Sequence, residues 1–170
     1  FGPNGDITRA EYVKLLTKIF GLDEEDGYDG SNGFYDVQSE EWFYPYINLA
    51  AQNDWIRTRD NGYNFYPNVA ITRADAVLWA MRAANQGTFS YDVTNFSDVE
   101  NDDYFAYALA IASSTFVTTS EESNQAIIEG YLVNGLTYFK PYNNIARSEA
   151  TAVITRVAIA FGVASEGWDE

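Results

Sequence analysis

The sequence predicts an all-α fold, a helical repeat module, on three observations: one motif is written three times, an amphipathic helical pattern follows each copy, and capping residues stand at two of the helix starts. The copies are Phe1-x-Pro3 then Ile7-Thr8-Arg9-Ala10-Glu11, Phe65-x-Pro67 then Ile71-Thr72-Arg73-Ala74-Asp75, and Phe139-x-Pro141 then Ile145-Ala146-Arg147-Ser148-Glu149. In each, the proline stands four residues before the isoleucine and the arginine two after it. Self-similarity at a long period marks a duplicated helix-loop-helix unit, and such units bury their apolar faces on one another.

Thr8 with Glu11 forms the first capping box: the hydroxyl takes an orphan backbone N–H and the carboxylate reaches back to the cap. The helix it opens carries Val13, Leu16, Ile19 and Phe20 on one stripe, and Gly21 stands where a left-handed C-terminal residue is expected. An acidic, glycine-rich connector from Asp23 to Gly33 leads to a second repeated element, Phe34-Tyr35-Asp36-Val37. Six residues after its aspartate, Trp42 opens a helical pattern through Tyr46, Ile47, Leu49 and Ala50. A loop around Asn61-Gly62-Tyr63 then returns to the motif, where Thr72 and Asp75 repeat the capping box and Ala76, Val77, Trp79, Ala80 and Ala83 form the stripe.

The third unit begins with Phe96-Ser97-Asp98-Val99 and a helix led by Tyr104, with Phe105, Ala108, Leu109 and Ala112 as its apolar face. The isoleucines Ile7 and Ile71 are 64 residues apart, Ile71 and Ile145 are 74 apart, so this unit holds an insertion. Part of it is Ser120 to Gln125, expected on a surface loop, where inserts are tolerated. Ala146 cannot cap, so Asn144 or Ser148 is expected to substitute with a shifted helix start. The last stripe is Ala150, Val153, Ile154, Val157, Ile159 and Ala160, ending near Gly162.

Composition removes several functions. A net charge of -15, from 25 acidic and 10 basic side chains, repels nucleic acids and anionic membranes. With no cysteine and no histidine there are no disulfides, thiolates, imidazole bases or usual zinc ligands. No apolar run approaches the roughly 20 residues that span a bilayer. The N-terminus shows no basic segment with an apolar core, so an export signal is expected to be cleaved or to lie outside this sequence.

The joint pattern of Phe-x-Asp-Val, an aromatic-led helix, a Gly/Asn loop, Phe-x-Pro and Ile-Thr-Arg-Ala-Glu resembles the S-layer homology repeat of bacterial cell-surface proteins. The resemblance covers most of the chain: the second half of one repeat (1–20), a complete repeat (34–83) and another (96–161), together one module over 1–170. The first half of the first repeat is missing, so either the chain begins inside a repeat or the native protein continues upstream. The resemblance implies a pseudo-threefold arrangement around a central three-helix bundle. It also implies grooves between repeats that bind a secondary cell-wall polysaccharide, often pyruvylated, and a location on the bacterial cell surface. By matching position, the implied ligand contacts are Arg9, Arg73 and Arg147, with Asp36, Asp98, Trp42, Asn61 and Gly62 as weaker candidates. Tyr104 in place of Trp, the lack of a glycine around Asp54 and Thr115, and Ala146 in place of Thr depart from the family's pattern.

The residues support two readings of the arginines. A cation in the first turn of a helix faces the positive end of the macrodipole, which costs on the order of 0.3 to 1 kcal/mol. An anionic ligand held by guanidinium and free N–H groups would offset that. So would an ion pair to Asp36, Asp98 or a neighbouring acid that ties one repeat to the next. For the two Phe-x-Asp-Val aspartates, capping and turn roles compete with ligand contact. For Trp42 and Trp55, packing competes with sugar stacking. The acidic cluster Asp23, Glu24, Glu25, Asp26 and Asp29 fits no EF-hand register and reads as a solvated loop rather than a calcium site. No metal and no cofactor are expected, and no catalytic motif stands out beyond scattered carboxylates of the kind a glycosidase would use. The expected function is non-catalytic anchoring to an acidic glycan, with self-association in a surface lattice as the alternative.

Overall fold

The computed structural model describes residues 2–22, 32–58, 63–85, 94–118 and 124–162. Asn61, Gly62, the acidic cluster at 23–29 and most of the expected insert loop lie outside these residues. Among the described residues the chain forms five α-helices and two small antiparallel ribbons. The helices are α1 (Arg9–Ile19), α2 (Tyr44–Gln52), α3 (Arg73–Ala83), α4 (Ala106–Ser114) and α5 (Arg147–Ala160). The ribbons pair β1 (Phe116–Val117) with β2 (Gln125–Ala126), and β3 (Tyr131–Val133) with β4 (Leu136–Tyr138).

The three helices that follow the motif pack on one another as a central bundle, with α2 lying on α1 and α4 on α3. Helix α3 is the hub, and every one of its residues is buried. Tyr12 of α1 reaches across to donate to the Ala76 carbonyl at 2.5 Å and meets the Trp79 ring at 6.2 Å. Burial pushes the Tyr12 hydroxyl well above its ordinary pKa, which keeps it a neutral donor. Trp55 is a core residue, edge-on to Phe20 at 5.6 Å.

Both halves of the Thr8/Glu11 capping box are present. The second box is only half made: Thr72 Oγ1 accepts from the Asp75 amide, but the shorter acid sends its carboxylate elsewhere. The third helix starts at the same motif position as the others, without the expected shift. Its cap, Ala146, offers no side-chain bond, and the Arg147 and Ser148 amides donate instead to the carbonyls of Gly5 (2.9 Å) and Pro3 (3.0 Å). Gly21 and Gly162 adopt φ of 73° and 68°, as left-handed helix ends require. After α1, Gly21 donates to Lys18 and Leu22 to Thr17, which is a Schellman closure.

The last unit differs from the helical expectation in carrying strands. Asn134 and Gly135 turn β3 into β4 with φ of 51° and 81°, the paired positive values of a two-residue hairpin turn.

Candidate functional site

The three motif segments meet through one set of bonds applied in rotation. The first two amides of each helix donate to carbonyls in the Phe-x-Pro loop of the next repeat. Arg9 and Ala10 donate to Val69 and Pro67, Arg73 and Ala74 to Asn143 and Pro141, and Arg147 and Ser148 to Gly5 and Pro3. The helix N-termini therefore do not present these N–H groups to an anion, contrary to the ligand reading of the sequence. Short antiparallel bridges, Asp6 with Ala146, Thr8 with Ala70 and Thr72 with Asn144, complete the junction.

The arginines follow the same rotation, each pairing with the acid two residues beyond the arginine of another copy. Arg9 Nη1 binds Asp75 at 2.7 Å, Arg73 Nη1 binds Glu149, and Arg147 Nη2 binds Glu11 at 3.0 Å. The Nε atoms of Arg9 and Arg73 donate to the carbonyls of Phe65 (2.7 Å) and Phe139 (2.9 Å). The Arg9 guanidinium lies over the Trp79 and Phe65 rings at 4.6 and 5.1 Å, and that of Arg73 over Phe139 and Tyr131 at 4.7 and 5.2 Å. Carboxylate and π faces together offset the unfavourable macrodipole. Arg9 and Arg73 are 5% and 4% exposed, whereas the Arg147 side chain retains 27%.

The sequence anticipated a tie between repeats but not its partners. Asp36 and Asp98 do not meet the arginines and do not cap the helices that follow them. Asp36 accepts from the Phe65 and Tyr66 amides, both at 2.7 Å, and Asp98 from Phe139 and Lys140 at 2.8 and 2.7 Å. These bonds hold Tyr66 and Lys140 at φ of 57° and 60°, a left-handed conformation that side chains ordinarily avoid.

The residues that flank each arginine–acid pair differ, so the three inter-repeat grooves that the resemblance implies are unequal. In the first, Glu11, Lys14 and Lys18 line one face of α1, opposite Trp42 and Tyr46. The Lys14 ammonium lies 5.4 Å from the Trp42 ring and 4.8 Å from the Tyr46 ring, and among the described residues no carboxylate pairs with it. Trp42 is 50% exposed. Burial alone would raise the Glu11 carboxyl. The Thr8 amide and Arg147 outweigh it and hold the group below its ordinary 4.5, so Glu11 is ionised at neutral pH.

In the second groove the matching residues are Asp75, Leu78 and Arg82 against Tyr104, with Ala108 in place of Tyr46 and the neighbouring Tyr107 supplying a hydroxyl. The Tyr104 hydroxyl donates to Asp75 at 2.7 Å, and Arg82 donates to the Tyr107 hydroxyl (3.3 Å) and the Trp55 carbonyl (3.4 Å). The third groove, a cavity of about 350 Å³ lined by Arg73, Glu149, Arg156, Gln125 and Tyr131, is walled by the β-ribbons. There Arg156 is bonded to Gln125 (2.5 Å) and to the Ile127 carbonyl (3.4 Å). Lys18, Arg82 and Arg156 each stand nine residues after a motif arginine, a second recurring cation that the sequence reading passed over.

Residues 33–77 match the family model of the S-layer homology domain. That segment is an S-layer homology domain. Relatives extend the likeness over nearly all of the chain. Exoglucanase XynX of Acetivibrio thermocellus is 29% identical over 91% of the chain, and a cellulosome-anchoring protein of the same species 27% over 92%. A surface layer protein of Brevibacillus choshinensis is 32% identical over 49%. The chain spans only 13%, 33% and 7% of those proteins' lengths. Among the described residues, no helix is long and apolar enough to cross a membrane, and no cluster of acids is placed to hold a metal.

Proposed function

We propose that this S-layer homology module is a non-catalytic anchor that holds a larger protein on the bacterial cell surface by binding an acidic cell-wall polysaccharide. The relatives named as surface layer and cellulosome-anchoring proteins support surface anchoring. Enzyme-named relatives are several times longer than this chain, so their names place no chemistry in the matched part. The domain reading remains a half repeat (1–20) and two complete ones (34–83 and 96–161).

One observation carries the glycan assignment. In a chain of net charge -15, the first groove sets the Lys14 ammonium, which has no carboxylate partner among the described residues, against the half-exposed Trp42 ring, while the partly exposed Arg147 guanidinium pairs with Glu11 on the same helix face as Lys14. An indole face stacks on the C–H face of a sugar ring, and the two cations suit a carboxylate such as a pyruvyl group. On this reading Arg147, Trp42 and Lys14 touch the ligand. Arg9, Arg73, Asp36 and Asp98 position the repeats, and Asn61 and Gly62 stay candidates from sequence alone. The second groove is self-satisfied: Tyr104 and Arg9 occupy Asp75, and Arg82 is bonded within the fold.

Purified walls test this. The protein should sediment with intact walls and not with walls stripped of polysaccharide, and Trp42→Ala or Arg147→Ala should lower retention by about tenfold or more with helical circular dichroism unchanged. Equal retention on stripped walls rejects glycan anchoring. A second reading, self-association, draws on the β3–β4 hairpin, which leaves Leu132 75%, Leu136 52% and Val133 46% exposed. Concentration-dependent assemblies in the absence of wall material would support it.

A further inference from the structure

The Phe-x-Asp-Val turn is joined to the segment entering Phe-x-Pro by one backbone bond, and the bond is the same in both complete repeats. Tyr35 N–H donates to the Tyr63 carbonyl at 2.7 Å, and Ser97 N–H donates to the Thr137 carbonyl at 2.7 Å. The flanking aspartates, Asp36 and Asp98, accept the same two amides in each case. Serine and threonine therefore meet every backbone need of this junction in one repeat, yet the other carries two tyrosines there.

Those rings do not serve the core. Tyr35 is 70% exposed and Tyr63 61%, and they stack on each other with centroids 5.1 Å apart and planes inclined by 22°. The mutual stack and the backbone bond hold both rings in one orientation before any ligand arrives, which lowers the entropic cost of binding. Among the described residues no cation lies over either ring, in contrast to Trp42 and Tyr46, so the pair suits an uncharged ring. Tyr35 precedes Trp42 by seven residues, which even fully extended span no more than roughly 25 Å.

We infer that Tyr35 and Tyr63 form a stacking subsite for a neutral pyranose residue of the same polysaccharide, a few sugars along from the acidic residue held beside Trp42. The inference rests on the anchoring reading for the identity of the polymer, but its geometry is independent of the groove. The C–H face of the sugar lies on an outer phenol face, and the phenol hydroxyls bond its rim hydroxyls.

The test uses the source organism's purified wall polysaccharide in two forms, native and with its carboxyl groups reduced to alcohols. The variant Tyr35→Ser/Tyr63→Thr installs the residues that the other repeat already uses. It should fold normally and lose about tenfold in affinity for both forms, whereas Arg147→Ala should lose affinity only for the native form. In the unaltered protein, ring-proton resonances of Tyr35 and Tyr63 should shift when the reduced glycan is added, a readout that does not depend on how the variant folds. Unchanged affinity of the double variant for both forms, or silent tyrosine resonances, overturns the subsite. If Arg147→Ala and Trp42→Ala bind the native form normally while the double variant does not, the groove reading falls and the tyrosine subsite stands. Binding of neither form by the unaltered protein overturns both.

Discussion

Replacing Arg9 by alanine separates the two readings of the motif arginine. Its side chain is 6% exposed and that of its partner Asp75 5%, at 2.7 Å, so removal strands a carboxylate among buried groups with, among the described residues, the Tyr104 hydroxyl left to it. Breaking a buried pair from one side costs about 3 to 5 kcal/mol. For a domain of this length that corresponds to a fall in melting temperature of roughly 6 to 20 °C. Chemical denaturation followed by far-ultraviolet circular dichroism measures it. The double variant Arg9→Met/Asp75→Leu should recover most of the loss, because no charge is then orphaned. Arg147→Ala removes a pair whose side chains are 27% and 35% exposed, and should cost only about 0 to 1 kcal/mol. An Arg9→Ala protein that unfolds like the parent yet no longer binds walls would refute the reasoning and return Arg9 to the ligand.

Two further outcomes follow from the geometry. The Glu11 carboxyl is held below its ordinary 4.5, so its contribution to stability is full above that value and is lost as pH falls through the folded-state pKa. Denaturant midpoints should therefore drop less steeply in acid for Glu11→Gln than for the parent, and parallel curves would show that the Arg147 link does not matter to folding. At Gly130 an added Cβ would meet the Thr137 methyl, Phe96 Cε1 at 2.7 Å and the Tyr138 carbonyl at 3.0 Å. Gly130→Ala should destabilise by about 1 to 3 kcal/mol in thermal unfolding, and a neutral result would mean that the β3–β4 hairpin yields freely.

The hairpin also marks a limit of what could be read from the chain. Leu132-Val133-Asn134-Gly135-Leu136 contains an Asn-Gly turn signal between apolar residues, but the helical periodicity on both sides masks it. The acid at the third helical position is legible three times, as Glu11, Asp75 and Glu149, but in Glu11 and Asp75 the local pattern reads as capping and in Glu149 it carries no role. In Glu11 it does both tasks, accepting the Thr8 amide and the Arg147 guanidinium, because a glutamate is long enough to serve both. Asp75 is one methylene shorter and serves only the ion pairs.

The sequence by itself determined the repeat, the helix starts at Arg9 and Arg73, the Thr8 box and the glycine ends, because each depends on neighbours within about one turn, whereas the start at Arg147 rests on carbonyls of a distant loop. It also determined the family likeness, since that lies in spacing. Only the tertiary structure decided what the arginines hold. Their partners stand 66, 76 and 136 residues away, and no local pattern encodes a contact that exists only when three copies close around one axis. Closure likewise made the grooves unequal. It buried two arginines and left Arg147 partly open against Glu11 of α1, because the same motif meets a different neighbour in each repeat.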